Sequence, residues 1–156
     1  EALPETCSWH LYIHGKGLDE EKAKAWKHIT SCGFIRSDEF VKSSVGHFGL
    51  VWDGASIDEC SGEWGVYLKV NNPHKTSFYL RSGKPVIIWK EAALAKFVEA
   101  EGVGIAVNSL RDIDEKLRNI TAKDYLTMLD NVSRVQKQLA CGYYFDKAYG
   151  SAIAEL

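Results

Sequence analysis

Asn72, Pro73, His74 and Lys75 follow one another at the start of a stretch with helical spacing, and these residues are the ones in the chain best suited to chemistry. A helix opening on Asn72, His74 and Lys75 brings together free backbone N–H groups, the positive end of the helix dipole and a lysine cation. Such an end is a natural seat for a phosphate or diphosphate. Pro73 suits the first turn, where its missing N–H has no partner to lose. Gly83 falls where a helix C-terminus takes a left-handed residue, and Pro85 stops the helix from continuing. The apolar run at 86–89 then reads as a short strand buried on both faces. Taken without context, Lys75 also fits a solvated helix lysine, and Asn72 fits an ordinary N-cap.

The rest of the chain supplies the frame for that loop. Strands are expected near residues 9–13, 29–34, 48–52, 85–89 and 104–107, alternating with helices. Residues 18–28 form an expected helix anchored by Trp26. Ser37 is expected to cap a second helix reaching about Val45, with Asp38 and Glu39 in its first turn. Residues 53–70, rich in Gly, Ser and acidic side chains, read as a long functional loop. An amphipathic helix follows at 91–101. Ser109 with Asp112, and Thr121 with Asp124, have capping-box-like spacing. After the second of these, Tyr125, Leu129, Val132, Val135 and Leu139 recur at helical intervals, and a final helix is expected over 143–156. Short strands alternating with helices predict a Rossmann-like, three-layer α/β/α domain on a parallel sheet. Ligands of such sheets sit beyond the strands' carboxyl ends, where the loop at 72–75 falls.

Composition narrows the class. The chain has 156 residues, 46% hydrophobic and 26% charged, which suits one compact domain over 1–156. A formal net charge of −2 leaves no electrostatic footprint for nucleic acid. No apolar run approaches the roughly 20 residues that span a bilayer. Cys7, Cys32, Cys60 and Cys141 form no C-x-x-C pair, which argues against structural zinc and a redox dithiol and favours free thiols in a reducing cytoplasm. The five histidines show no H-E-x-x-H spacing. His10 and His14 could line one face of a strand, although core or surface histidines are the plainer account.

An ordered set of short motifs carries a family resemblance. It comprises Gly33-Phe34, Phe48-Gly49-Leu50-Val51-Trp52-Asp53-Gly54, the Asn-x-x-Lys of Asn72 and Lys75, Gly83-Lys84-Pro85-Val86-Ile87, Gly102-Val103-Gly104 and Gly142-Tyr143-Tyr144-Phe145. In order and spacing this set resembles the C-terminal, donor-binding half of bacterial GT-B glycosyltransferases of the glucosyltransferase-3 and galactofuranosyltransferase-like type. The resemblance implies a nucleotide-sugar-binding half of an enzyme that moves a hexose from a UDP-sugar to a glycoprotein or polysaccharide acceptor. It implies that Lys75 contacts the nucleotide diphosphate, that Asn72 is a further contact to the nucleotide, and that Phe34 lies against the uracil. Asp53 and Gly54 would border the sugar, unless they are only a turn. Neither a metal nor another cofactor is implied, and a homo-oligomer is compatible with it. The residues before Trp9 look like a helix end and a turn. The first strand with its phosphate loop, and an N-terminal acceptor domain, are therefore expected upstream of Glu1, and the 156-residue piece alone is expected to transfer nothing. The span 69–78 contains no glutamate, unlike many retaining GT-B enzymes, which hold the donor with a glutamate pair.

Two readings from other classes compete. Asp53 after a buried strand, and Lys84-Pro85, are similar to parts of a phospho-receiver domain. However, Ile13 is followed by His14-Gly15-Lys16-Gly17 where an acidic pair belongs, and Lys84 precedes its strand instead of ending it. Trp9, Trp26, Trp64 and Tyr67 would serve a non-catalytic assembly module if exposed. A dinucleotide dehydrogenase is disfavoured because no G-x-G-x-x-G follows a strand.

Overall fold

A computed structural model describes residues 7–155. Five short strands are all parallel: β1 Leu11–Ile13, β2 Ile29–Ser31, β3 Gly49–Val51, β4 Val86–Trp89 and β5 Gly104–Val107. The eight helices of the described residues are α1 Glu20–Lys24, α2 Ser37–Ser43, α3 Gly62–Leu68, α4 His74–Arg81, α5 Ala95–Ala100, α6 Ile113–Arg118, α7 Ala122–Ala140 and α8 Tyr143–Ala154. A 3-10 turn at Leu110–Asp112 leads into α6. The fold is a Rossmann-like α/β arrangement, as the alternation of elements predicts.

β4 lies between β3 and β5, and all four of its residues are buried. Alternation along the strand sends Val86 and Ile88 to one face and Ile87 to the other. The first face meets Val51, Leu80, Val98, Val103, Val132 and Val135. The second meets Val107 and Ile113, with Trp9, Phe48, Leu50 and Leu117 packed against them. Burying each of these aliphatic side chains contributes roughly 1.5–3 kcal/mol, so this sheet with α4 and α7 on one side and α6 on the other is the rigid part of the domain. Gly49 is required by that packing: a Cβ there would stand 1.9 Å from Cγ of Tyr79 on α4.

The five strands do not form one continuous ladder. β1 pairs with β2 as a two-stranded sheet, and β3, β4 and β5 form a separate three-stranded sheet. The halves are joined by side chains. Trp9 reaches the core beneath β4, the Phe40 ring of α2 lies tilted against Tyr79 with ring centroids 5.9 Å apart, and Lys84 Nζ donates to the carbonyls of Ser44 and Gly46 at 2.9 and 2.8 Å. Burial pushes the Lys84 ammonium below the usual lysine range. Between β1 and β3 lies a cavity of about 630 Å³, walled by residues of both strands and by Phe40, Tyr79 and Tyr125.

Both capping boxes form as the sequence predicts. The Ser109 hydroxyl accepts from Arg111 N–H at 3.1 Å while Asp112 accepts from Ser109 N–H. Thr121 and Asp124 make the equivalent pair at the start of α7. Gly83 takes φ 73°, as a helix end demands.

Several expectations fail locally. The helix expected over 18–28 shrinks to α1; Trp26 lies beyond it and is exposed, whereas Ala23 within it is buried. Ser37 is the first residue of α2 and Arg36 is its N-cap, with no side-chain capping bond. The loop expected over 53–70 contains α3. Gly62 and Gly65 lower its intrinsic helix propensity, yet Gly65 is needed because a Cβ there would meet the Cys60 carbonyl oxygen at 2.2 Å. The helix expected at 91–101 begins at Ala95, since Ala92 N–H and Ala95 N–H close tight turns onto Trp89 and Ala92 carbonyls. The end of the last predicted helix, Leu156, lies outside the described residues.

Candidate functional site at the strand ends

The parallel strands of each sheet present their carboxyl ends on one side, and the segments leaving β3 and entering α4 meet there. Lys75 Nζ lies 2.5 Å from Asp53 Oδ1, just past the end of β3. The Lys75 side chain is 50% exposed and that of Asp53 28%, so solvent and ligands can reach the pair. No acidic residue occupies the first turn of α4, where His74 and Lys75 stand. That helix end keeps a net positive character.

Asn72 is exposed two residues ahead of the first residue of α4, and Pro73 between them is the N-cap. The capping role allowed for Asn72 therefore goes to Pro73, whose ring fixes the extended backbone entering the helix. Phe34 follows Gly33, which takes φ 68° just beyond β2. At 65% exposure Phe34 is not a core residue, and Lys16 Nζ lies 5.0 Å from its ring centroid. A free aromatic face with a cation over it is a platform for a planar ligand. The structure thus joins Lys75 to Asp53 directly, with Asn72 on the segment that enters the same helix. Phe34 belongs to the other sheet, on the segment beyond its strand's carboxyl end.

The segment after β3 is held down at several points. Trp52 Nε1 donates to the Ser56 carbonyl at 2.9 Å, and Asp53 N–H donates to Cys60 Sγ at 3.4 Å. Gly54 has φ 116°, and a Cβ there would meet Ser61 N at 2.6 Å. Ile57 carbonyl accepts from Leu110 N–H and Ser109 Oγ, while Arg111 Nε pairs with Asp58 at 2.6 Å. The bonds to Ser109, Leu110 and Arg111 join residues more than 50 positions apart, and no local pattern announces them. Burial pushes the Cys60 thiol up to about 11, so it is not a nucleophile at neutral pH. Cys7, Cys32 and Cys141 are also free. Among the described residues no three His, Cys, Asp or Glu side chains are gathered to hold a metal ion, and no helix is long and apolar enough to cross a membrane.

Lys84, by contrast, sits at the amino end of β4, bonded to the carbonyls after α2, at the opposite end of the sheet from Asp53. A receiver-like lysine–aspartate arrangement is therefore not formed.

Comparison with known proteins settles the family. The description "Glucosyltransferase 3-like, C-terminal domain" matches residues 4–152. This chain belongs to the glucosyltransferase 3-like family. Beta-1,6-galactofuranosyltransferase WbbI of Escherichia coli (strain K12) is 36% identical over 152 residues, covering 97% of this chain and 44% of that protein. Glucosyltransferase 3 of Streptococcus gordonii is 28% identical over 138 residues, covering 88% of this chain and 40% of that protein. The namesake in Streptococcus parasanguinis is 28% identical over 111 residues, 70% of this chain and 32% of its own length. The chain thus spans less than half the length of these relatives. As a glucosyltransferase 3-like C-terminal domain, it carries Asn72, Lys75 and Phe34 on segments that leave or approach the carboxyl ends of its parallel strands.

Proposed function

We propose that this domain binds the nucleotide-sugar donor of a glycosyltransferase, with UDP as the nucleotide and a hexose as the transferred group. The observation that carries the proposal is Lys75, which stands in the acid-free first turn of α4 and is linked to Asp53 beyond β3. A diphosphate arriving there exchanges the Asp53 carboxylate for a phosphate oxygen on the same ammonium and gains the N–H groups of the helix end. Asn72 adds a neutral hydrogen bond beside it, and Phe34 offers the stacking face for the uracil ring. The relatives' names, a galactofuranosyltransferase and two glucosyltransferases, support the reaction class.

In this scheme the protein assists departure of the diphosphate electrostatically. Lys75 and the α4 dipole stabilise the charge that develops on the leaving oxygen as the glycosidic bond breaks, and no metal is assigned to the task. The acceptor, a glycan or glycoprotein, and the residue that activates it belong to polypeptide beyond this domain. The proposed domain organisation follows: residues 1–156 form the donor half, and an acceptor half lies elsewhere in the protein. The exposed Trp26, Trp64 and Tyr67 leave a homo-oligomer compatible with the scheme.

The test is turnover. The protein extended to the length of its relatives is expected to hydrolyse or transfer from a UDP-hexose, and the 156-residue chain alone is expected to do neither. Transfer by the short chain would overturn the division of labour. Absence of UDP binding by the extended protein would overturn the donor assignment.

A further inference from the structure

The exposed ring of Phe34 has a cation fixed beside it by the sheet itself. Cys32 N–H donates to the Ile13 carbonyl at 2.8 Å, and Gly15 N–H donates to the Gly33 carbonyl at 2.9 Å. The register that sets Ile13 opposite Ser31 therefore continues past both strand ends, and the next pair in it is Lys16 and Phe34. That continuation places Lys16 Nζ 5.0 Å from the Phe34 ring centroid, with both residues exposed. A Cβ added at Gly15, Gly17 or Gly33 would meet no atom within 4 Å, so the space around the two side chains is open. Lys24, Lys69 and Lys75 each pair with a carboxylate. Among the described residues no carboxylate pairs with Lys16, whose ammonium keeps three N–H donors and has no acceptor.

A planar ring that stacks on Phe34 moves the ammonium from above the face to the edge of the ligand. The flexible four-carbon stem of lysine permits that move, and the cation–ring attraction given up is of the weak, exposed kind. At the edge the ammonium selects by hydrogen bonding: it donates to a carbonyl and has nothing to offer an amino group. Uracil carries a carbonyl, O4, on the edge that stands clear of the ribose, where cytosine carries an amino group. Stacking on a phenyl ring accepts every base, because every base has a π-face. Discrimination between bases has to come from the edge, and Lys16 is the charged group placed there.

We infer that Lys16 sets the identity of the nucleobase, donating to O4 of a uracil stacked on Phe34 and rejecting cytosine. The inference rests on the reading of this domain as the nucleotide-binding half and deepens it: Phe34 supplies the stacking face, Lys75 the diphosphate contact, and Lys16 the choice of base. A cytosine in the same place sets its amino group against the ammonium, donor against donor, and leaves both unpaired. Specificity then comes from a repulsive element as well as an attractive one.

Nucleosides, which carry no phosphate, test it in the protein extended to the length of its relatives. The parent is expected to bind uridine at least about tenfold more tightly than cytidine. Lys16→Met, which keeps the apolar stem, is expected to lose roughly tenfold for uridine and nothing for cytidine. Phe34→Leu should weaken both nucleosides alike, and unchanged binding of both would overturn the inference by removing the platform. An unchanged uridine preference in Lys16→Met would overturn it and leave Lys16 a solvated surface lysine. Equal weakening of the two nucleosides would do so too, since Lys16 would then only support the ring of Phe34. So would a loss confined to UDP with uridine unaffected, which would put the ammonium on a phosphate. A parent that binds neither UDP nor uridine overturns the donor reading and this inference together. A parent that binds both, and keeps its uridine preference in Lys16→Met, overturns this inference alone.

Discussion

Replacing Lys75 by alanine in the extended protein isolates the part of donor binding that belongs to phosphate. A hydrogen bond from an ammonium to a charged oxygen is worth about 1.5–3 kcal/mol. The ammonium is not idle in the free protein, because it is paired with Asp53 across 2.5 Å with both side chains open to water. An ion pair of that exposure is worth about 0.2–1 kcal/mol, and binding gives it up. The net loss on Lys75→Ala is therefore about 1–2.5 kcal/mol, a fall in UDP affinity of roughly five- to seventyfold. Uridine, which has no phosphate, should bind the variant and the parent alike. Calorimetric titration of both ligands reads the difference directly. Asn72→Ala should cost less, about 0.5–1.5 kcal/mol for a neutral hydrogen bond, and should leave thermal stability unchanged because Pro73, and not Asn72, caps α4. Equal weakening of UDP and uridine by Lys75→Ala would mean that Lys75 shapes the pocket instead of holding the diphosphate. An unchanged affinity for both would remove it from the site.

Two further outcomes concern the frame around the site. Gly49→Ala should destabilise the domain by about 1–3 kcal/mol through overpacking against the Tyr79 ring, and Tyr79→Ala should recover part of that loss in the double variant; urea denaturation of the four proteins decides it, and additive losses would refute the clash. The side-chain hydrogen bond from Thr121 holds the Asp124 carboxyl below the usual range, and the Ser8 hydroxyl does the same for Asp114. Carboxyls depressed on folding add stability that is fully present above their unfolded value of about 3.9, and it is lost as pH falls through their folded values. Asp124→Ala should therefore flatten the decline of melting temperature below pH 4, and an unaltered slope would show that the capping carboxylate carries none of it.

The capping boxes at Ser109 and Thr121, the buried run at 86–89 and the helix stop at Gly83 were legible because each depends on residues a few positions apart. Local chemistry decides them: a hydroxyl three residues before a carboxylate, an unbroken apolar run, a residue without a Cβ. The ordered motifs from Gly33 to Phe145 likewise pointed to the family that the comparison then established. The helix α3 was hidden because its glycines answer to distant crowding and lower local propensity at the same time. Trp26 looked like an anchor by composition alone and proved exposed, since a helix of five residues has too little face to bury it.

The candidate site divides in the same way. The amino-acid sequence by itself determined which groups exist at the start of α4: a lysine, a proline that ends the extended approach, and no acid to cancel the dipole. Tertiary structure alone decided that Asp53, 22 residues away, holds Lys75, and that Arg111 and Ser109 tie down the segment between them. It alone divided the strands into two sheets around a gap. The physical reason is range. Caps, stops and apolar periodicity act within a turn or a strand, where sequence separation and spatial distance are the same thing. Ion pairs and strand partners are chosen by packing of the whole sheet, which brings together residues that no local pattern relates.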